Sequence, residues 1–322
     1  MQCRICENAE NNRIHEATEM MLGIGDKHHY IECATCGCLQ IEKLPEDLPS
    51  YYPDDGYYSY NKIQSSSGLK KILVTKRDRY AATGMCWMGK VIHQFLPHSK
   101  LHSLQKTGIT TDSLILDVGC GAGHLLHSLQ ETGFNKLLGI DPFNAEDIDY
   151  ENGLRIEKKS LHQVDQGEWD LIMFHHSFEH VFDQQETLAK AASLLKPGGV
   201  CLVRVPTCSS WAWKHYGVYW VQLDAPRHLF LHSIHSMELL ANKVGLQMEE
   251  VVYDSFGFQL WGSEQYMNGI ALNDATSYAV NPEKSAFSKQ DIIKFDKRSI
   301  ALNGENQGDQ AAFYLRKPLR KS

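Results

Sequence analysis

The stretch Leu114-Ile115-Leu116-Asp117-Val118-Gly119-Cys120-Gly121-Ala122-Gly123 constrains this chain more than any other. A few apolar residues around Asp117 predict a short buried strand, too brief for a helix. Gly119, Gly121 and Gly123 then predict a tight turn that lets backbone approach a ligand closely. Leu125, Leu126 and Leu129 share one face of a following helix, which Gly133 stops. Strand, glycine turn and helix N-terminus make a cradle whose free N–H groups face a bound group.

Leu137-Leu138-Gly139-Ile140-Asp141 reads as a second strand ending in a carboxylate. Asp141 lies twenty residues past Gly121, where a doubly wound fold places an acid for ribose hydroxyls. A dinucleotide fingerprint G-x-G-x-x-G would need glycine where His124 stands, so an NAD(P)-dependent oxidoreductase is the weaker alternative. Further on, residues 168–175 form a continuous apolar strand pattern, as expected for a sheet buried on both faces. Asp183 and Glu186 fit a D-x-x-E capping box ahead of a helix with Leu188, Ala191, Ala192 and Leu195 on one face. Lys196-Pro197-Gly198-Gly199 ends that helix, and residues 200–205 are the next strand. Ser233 caps a helix through Val244, and Gln247 to Tyr253 and Ala311 to Leu315 read as the final two strands. This alternation predicts a doubly wound α/β sheet with its ligand site at the carboxyl ends of the strands.

The motifs D-V-G-C-G-A-G, G-I-D-P, W-D-L-I, F-E-H-V and L-L-K-P-G-G stand here in the order and spacing of class I S-adenosylmethionine-dependent methyltransferases, a family this sequence resembles over about Asp112 to Asp254. The resemblance implies an α/β, doubly wound, Rossmann-like seven-stranded sheet and S-adenosylmethionine as cofactor. It assigns Asp117 and the loop from Gly119 to Gly123 to the methionyl part and Asp141 to both ribose hydroxyls. Pro142 and Phe143 would border the adenine, with Ser160 and Leu161 on its far side. His175 and His176 would face the methyl group.

Cys3-Arg-Ile-Cys6 and Cys33-Ala-Thr-Cys36 are two C-x-x-C pairs able to converge on one tetrahedral zinc. Four thiolates would close the coordination shell, so such a Zn2+ organises folding and does not activate water. Cys38 is a spare that could displace Cys36, and iron in a rubredoxin-like site is a minor alternative. The expected organisation is a zinc-ribbon-like module over 1–45, a linker and helical lid over 46–107, and a methyltransferase domain over 108–322 with an insertion at about 262–310. Within the linker, five tyrosines at 51–60 surround a turn that either packs or lines a pocket, and residues 64–68 read as a flexible joint. Leu69, Ile72 and Leu73 predict one apolar face of a helix over 69–80, to which the family resemblance implies a lid role. A second helix covers Met88 to Leu96. A four-cysteine module joined to this domain resembles bacterial enzymes of sugar, polysaccharide or natural-product pathways. The extra C-terminal domain of deoxysugar C-methyltransferases is not seen.

A formal charge of -7 argues against a general nucleic-acid binder. No apolar run is long enough to span a membrane, and the N-terminus lacks a signal-peptide layout, so a cytoplasmic protein is expected. An alcohol or acidic carbon must lose a proton to accept a methyl group, and histidine titrates in the useful range. With sixteen histidines in the chain, position must choose among them. His176, Glu179 and His180 follow the fourth strand and His228 follows the fifth, all at the ligand-bearing edge. His176 or His228 is the expected base, while Glu179 and His180 could equally be structural. Trp211, Trp213, Tyr219 and Trp220 offer a platform for a sugar ring or a hydrophobic lid. Trp261, Glu264, Gln265 and Tyr266 are further candidates for the acceptor pocket. The expected partner is a small-molecule acceptor such as a nucleotide-linked sugar, methylated at oxygen before carbon or nitrogen. The rival of another class is a zinc-module adaptor with an idle methyltransferase domain. Oligomeric state is not legible in the sequence.

Overall fold

The computed structural model describes residues 1–52, 68–165 and 167–319. Tyr57, Tyr58 and Tyr60 of the tyrosine-rich turn and the serine-rich joint at 64–67 lie outside the described residues. In chain order the strands and helices are β1 (Arg13–Thr18), β2 (Lys27–Glu32), β3 (Leu39–Ile41), α1 (Gly68–Thr83), α2 (Trp87–Phe95), α3 (Ser99–His102), β4 (Ile115–Val118), α4 (His124–Glu131), β5 (Leu137–Ile140), β6 (Ile148–Asp149), β7 (Arg155–Glu157), β8 (Trp169–His175), α5 (Gln184–Leu194), β9 (Leu195–Pro206), α6 (Trp211–Tyr216), β10 (Phe230–Leu231), α7 (Ile234–Lys243), β11 (Gln247–Tyr253), α8 (Phe258–Met267), α9 (Lys289–Gly304) and β12 (Gln310–Arg316).

The main sheet runs β11-β12-β9-β8-β4-β5-β7-β6. Its core pairs, β9·β8, β8·β4, β4·β5 and β5·β7, are parallel, and β12 enters antiparallel to both β9 and β11. The seven expected strands are present, and the two-residue β6 adds an eighth at the edge through antiparallel pairing with β7. Alternation along each strand splits the core in two. Ile172, Phe174, Cys201 and Val203 join the layer under α5 and α7. Leu171, Met173, Val200 and Leu202 join the layer under α1 and α4. The chain turns away from β4 in opposite directions to reach β5 and β8, so a crevice opens at the carboxyl ends of β4 and β8.

The cysteine-bearing segment is tied into the rest of the molecule. β1, β2 and β3 form a second sheet whose fourth strand is β10, paired antiparallel with β3. Across this boundary Arg227 and Glu19 make a fully buried ion pair at 3.3 Å. The Glu19 carboxylate also accepts from the amides of Leu22 and Ile24, at 2.8 and 3.0 Å. Tyr30 donates its hydroxyl to the carbonyl of His228 at 2.8 Å. Ser233 caps α7 by accepting from the Ser236 amide at 2.9 Å, as expected. Its hydroxyl also donates to the carbonyl of Cys36.

Two local expectations fail for physical reasons. The Asp183 side chain does not cap α5. Its carboxylate instead lies 3.0 Å from His162 Nε2 and accepts from the Thr187 hydroxyl at 3.2 Å, so one distant and one local side chain replace the expected box. In α1 the face carrying Leu69, Ile72 and Leu73 stays exposed, and Asp78, Ala81 and Ala82 turn inward. The first turn of α1 meets the domain through the Lys71–Glu131 ion pair, and the last turns pack into it, where alanine allows close approach to the layer containing Leu101 and Leu104. The long insertion holds α9, capped by Ser288 with Asp291 in a reciprocal box. Ahead of it, the amides of Leu272 and Asn273 donate to Met20 and Met21 at 2.9 and 3.0 Å.

Breaking a buried charge pair by removing one partner costs on the order of 3–5 kcal/mol. Glu19→Ala should therefore lower unfolding free energy in urea by about that amount. The exposed Glu16–Lys27 pair is the control, and Glu16→Ala should barely move the transition.

Candidate functional site

The glycine turn leaves β4 with three consecutive alternate glycines at positive φ: 72° at Gly119, 56° at Gly121 and 78° at Gly123. A Cβ on Gly119 would sit 2.5 Å from Ser177 Cβ, and one on Gly123 would collide with Ile156. Only glycine satisfies both the dihedral and the space. Ser177 fixes the neighbouring strand end by donating its hydroxyl to the carbonyl of Val118 at 2.6 Å.

Asp117 and Asp141 flank this turn, and both are buried. Asp141 accepts from the amides of Gly121 and Phe143 at 2.8 and 2.9 Å, and burial raises its pKa. Asn144 locks the loop by donating to the Gly121 carbonyl at 3.0 Å. Asp117 Oδ1 has no hydrogen-bond partner. Burial, then the charge of Asp141, pushes the Asp117 carboxyl up to about 7 against the opposing pull of Lys100. After Pro142, Phe143 projects outward, 81% exposed, at the rim of the crevice. Leu161 is buried in the core and opens a short 3-10 turn in which Gln163 accepts from the Ser160 amide at 2.8 Å.

The histidines gather on the other side of the crevice. His175 ends β8, and neither ring nitrogen has a hydrogen-bond partner. Burial, reinforced by the charge of Arg204, holds its pKa well below the ordinary value, so the ring is neutral. His176 follows at φ 54°, a conformation uncommon outside glycine. Arg204 donates to His176 Nε2 at 2.7 Å and, through Nε, to Asp254 at 2.7 Å. Since Arg204 can only donate, the His176 proton sits on Nδ1, 3.4 Å from Glu179 Oε1. That separation is too loose to satisfy the carboxylate, and neither oxygen of Glu179 has a hydrogen-bond partner. Burial alone would raise the Glu179 pKa; His176, His180 and His228 together bring it down to about 2.

His180 and His228 complete the group. His180 Nδ1 lies 2.8 Å from the carbonyl of Arg227 and 3.1 Å from Tyr52 Oη. His228 Nδ1 lies 2.8 Å from the carbonyl of Gln222, and its Nε2 is 3.9 Å from Glu179 Oε1. The amide of Leu229 donates to the Glu179 carbonyl at 2.8 Å, which staples the two loops together. All four expected proton-handling residues thus share one buried cluster beside the glycine turn.

The four cysteines also converge. Cys3, Cys6, Cys33 and Cys36 place their sulfurs within 4.8 Å of one another. Cys38 is buried apart from them, with its thiol 3.7 Å from the Leu39 carbonyl. Gln40 donates to Cys3 Sγ at 3.1 Å, and the amides of Ile5 and Cys36 approach Cys3 and Cys33 at 3.4 Å. Contact with Cys36 lowers the Cys3 pKa to about 4, while the same contact pushes Cys36 up. Without a cation, ionising one thiol of the set opposes ionising the next.

The aromatic platform does not form. Trp213, Tyr216 and Trp220 are buried in the core; Trp220 donates to Asp309 at 2.9 Å and Tyr216 to Glu264 at 2.9 Å. Trp211 stacks on His215, which leaves Tyr219 as the exposed member. Gln265 is likewise committed to Ser277 and the Tyr278 amide. Sequence reasoning missed Arg204, Asp254 and Arg227, which orient the histidine cluster. The signal for Arg204 was a lone charge inside the apolar run 200–205, since a fully buried arginine requires partners.

A doubly wound sheet with a glycine turn and two buried acids at its switch point defines an α/β protein that binds a nucleoside-type ligand at the carboxyl ends of its strands. Residues 88–251, half of the chain, match the family model described as a methyltransferase domain. The ubiquinone biosynthesis O-methyltransferase of Serratia proteamaculans is 29% identical over 152 residues, covering 42% of this chain and 62% of that one. The enzyme of the same description from Colwellia psychrerythraea is 32% identical over 132 residues, covering 34% and 53%. The chain thus spans between half and two thirds of the length of these curated relatives. A solved cyclopropane synthase from Mycobacterium tuberculosis is 17% identical, with a TM-score of 0.42 over 67% of this chain and 81% of that one. The chain belongs to the methyltransferase-domain family.

The raised Asp117 pKa makes a stability prediction. Its penalty is absent below its ordinary value near 3.8, grows as pH rises, and is complete above about 7. Asp117→Asn should therefore raise the melting temperature of the ligand-free protein at pH 8 and lose that advantage near pH 4. Calorimetric melts across that range check it.

Proposed function

We propose that this chain transfers a methyl group from S-adenosylmethionine to an oxygen of a small-molecule acceptor. The supporting observation is the crevice itself: a glycine turn and two buried acids face a histidine cluster across one switch point, in a chain of the methyltransferase-domain family. Asp117 and the turn from Gly119 to Gly123 would hold the methionyl part, Asp141 the ribose hydroxyls, and Pro142, Phe143 and Leu161 the surroundings of the adenine. The unpartnered Asp117 Oδ1 and His175 nitrogens fit a ligand that brings its own polar and cationic groups. The cofactor supplies the activated methyl carbon; the protein supplies alignment and a route for the acceptor's proton.

His176 is the weaker candidate for the base, because its Nε2 lone pair already accepts from Arg204. Deprotonation falls instead to the pocket of Glu179, His180 and His228, with His176 and Arg204 orienting it from behind. A nucleotide-linked sugar remains the proposed acceptor class, resting on the likeness of the module arrangement to sugar-pathway enzymes. The four cysteines would hold a structural Zn2+, since a buried thiol set with amide donors aimed at sulfur suits a closed tetrahedral shell.

Calorimetric titration should show micromolar binding of S-adenosylmethionine, lost in Asp141→Ala; tighter binding of NADH than of S-adenosylhomocysteine would favour an oxidoreductase. In assays against nucleotide sugars and phenols, His228→Ala should lower kcat by ~10²–10⁴-fold with cofactor affinity unchanged. Replacing Cys3 and Cys6 with serine should release zinc and lower solubility while leaving methyl transfer in the fraction that folds.

A further inference from the structure

Glu179 is a buried carboxylate, 1% exposed, and among the described residues neither of its oxygens has a hydrogen-bond partner. A buried carboxylate left this way costs several kcal/mol unless a cation or a set of donors answers it. The nearest basic side chains do not answer it. Arg204 is engaged by Asp254 and His176, and Arg227 by Asp224, Glu19 and the carbonyl of Tyr51.

The groups that do face Glu179 are imidazoles prepared as ligands. His180 and His228 each direct Nδ1 at a main-chain carbonyl, of Arg227 and Gln222, at 2.8 Å. A carbonyl only accepts, so Nδ1 carries the proton and Nε2 carries the lone pair. This is the outer arrangement found behind metal-bound histidines, where the second ring nitrogen is anchored and the tautomer fixed. One ligand-capable atom from each of Glu179, His180 and His228 lies within 4.8 Å of the others. His176 stands outside the set, with its proton directed at Glu179.

We infer that Glu179, His180 and His228 form a binding site for a divalent first-row transition cation, Zn2+ or Mn2+, composed of different residues from the cysteine cluster. Two imidazoles and one carboxylate suit both metals, and three protein ligands leave coordination positions open. The role of the site rests on the methyl-transfer reading. With the cation bound, Glu179, His180 and His228 assist deprotonation through it and not as proton acceptors themselves: the acceptor hydroxyl would occupy an open position, and its proton would leave to solvent. The oxygen's electron pair then forms the O–CH3 bond while the S–CH3 bond breaks, its electrons passing to sulfur to leave a neutral thioether. The cation lowers the pKa of the bound hydroxyl and so supplies the alkoxide near neutral pH.

Mn2+ tests the site directly, because thiolates disfavour it and the cysteine cluster stays silent. Electron paramagnetic resonance titration of the full chain should show one saturable Mn2+ per chain, displaced by Zn2+ added beyond the equivalent that the cysteines take. Affinity should fall at least tenfold in Glu179→Gln and in His228→Gln, and stay unchanged in the exposed Asp183→Asn. Should those variants fail to fold, pulsed spectra of the wild-type complex decide, since two imidazole nitrogens should couple to the electron spin. Absence of saturable binding, binding indifferent to both substitutions, or a spectrum without nitrogen coupling overturns the site. Cofactor titration on the same samples separates the two readings. Retained S-adenosylmethionine binding without Mn2+ binding removes only the metal site, and Mn2+ binding without cofactor binding removes only the proposed function.

Discussion

The close packing of Gly119 on Ser177 is the constraint from which the site follows. With no Cβ on Gly119, the turn after β4 lies directly against the loop after β8, and the Ser177 hydroxyl bonds the carbonyl of Val118 across that contact. The ends of two strands already paired in parallel are thereby held side by side at the switch point of the sheet. Asp117 belongs to one end and His175 to the other, while Asp141 and His228 reach the site from the loops after β5 and before β10. Any side chain at residue 119 would wedge the two strand ends apart.

A second sheet stabilises the histidine end from below. The loop carrying His228 is gripped by the Arg227–Glu19 pair, by Tyr30 on the His228 carbonyl, and by β10 completing the sheet of β1 to β3. The cysteine cluster lies at the far end of that same sheet's connections, where Cys208 and Ser233 bond the carbonyls of Gly37 and Cys36. The proposed zinc would thus stiffen a support for the site without entering it.

Much of this was legible in the sequence, because the informative patterns are local. Glycine spacing at 119, 121 and 123, the acid after the second strand, the paired C-x-x-C motifs and the cap at Ser233 each depend on a few neighbouring residues. What failed depended on partners far along the chain. The Asp183 carboxylate meets Thr187 and His162 in place of a capping amide, and Trp220 turns inward to meet Asp309. The exposed face of α1 misled because amphipathic spacing says which residues share a side, not whether a neighbour covers it. Glu19 and Arg227 are separated by most of the chain, so their pairing carried no local trace. The assignment of individual histidines likewise depended on tautomers fixed by Gln222, Arg227 and Arg204, which no spacing rule encodes.

A crystal structure of the protein grown with S-adenosylhomocysteine tests the central claim most directly. The account predicts the ribose hydroxyls on the Asp141 carboxylate, the amino-acid part along the turn from Gly119 to Gly123, and the sulfur directed toward His175 and the Glu179 cluster. A nucleoside bound elsewhere, or a crevice closed by protein with the ligand excluded, would contradict it.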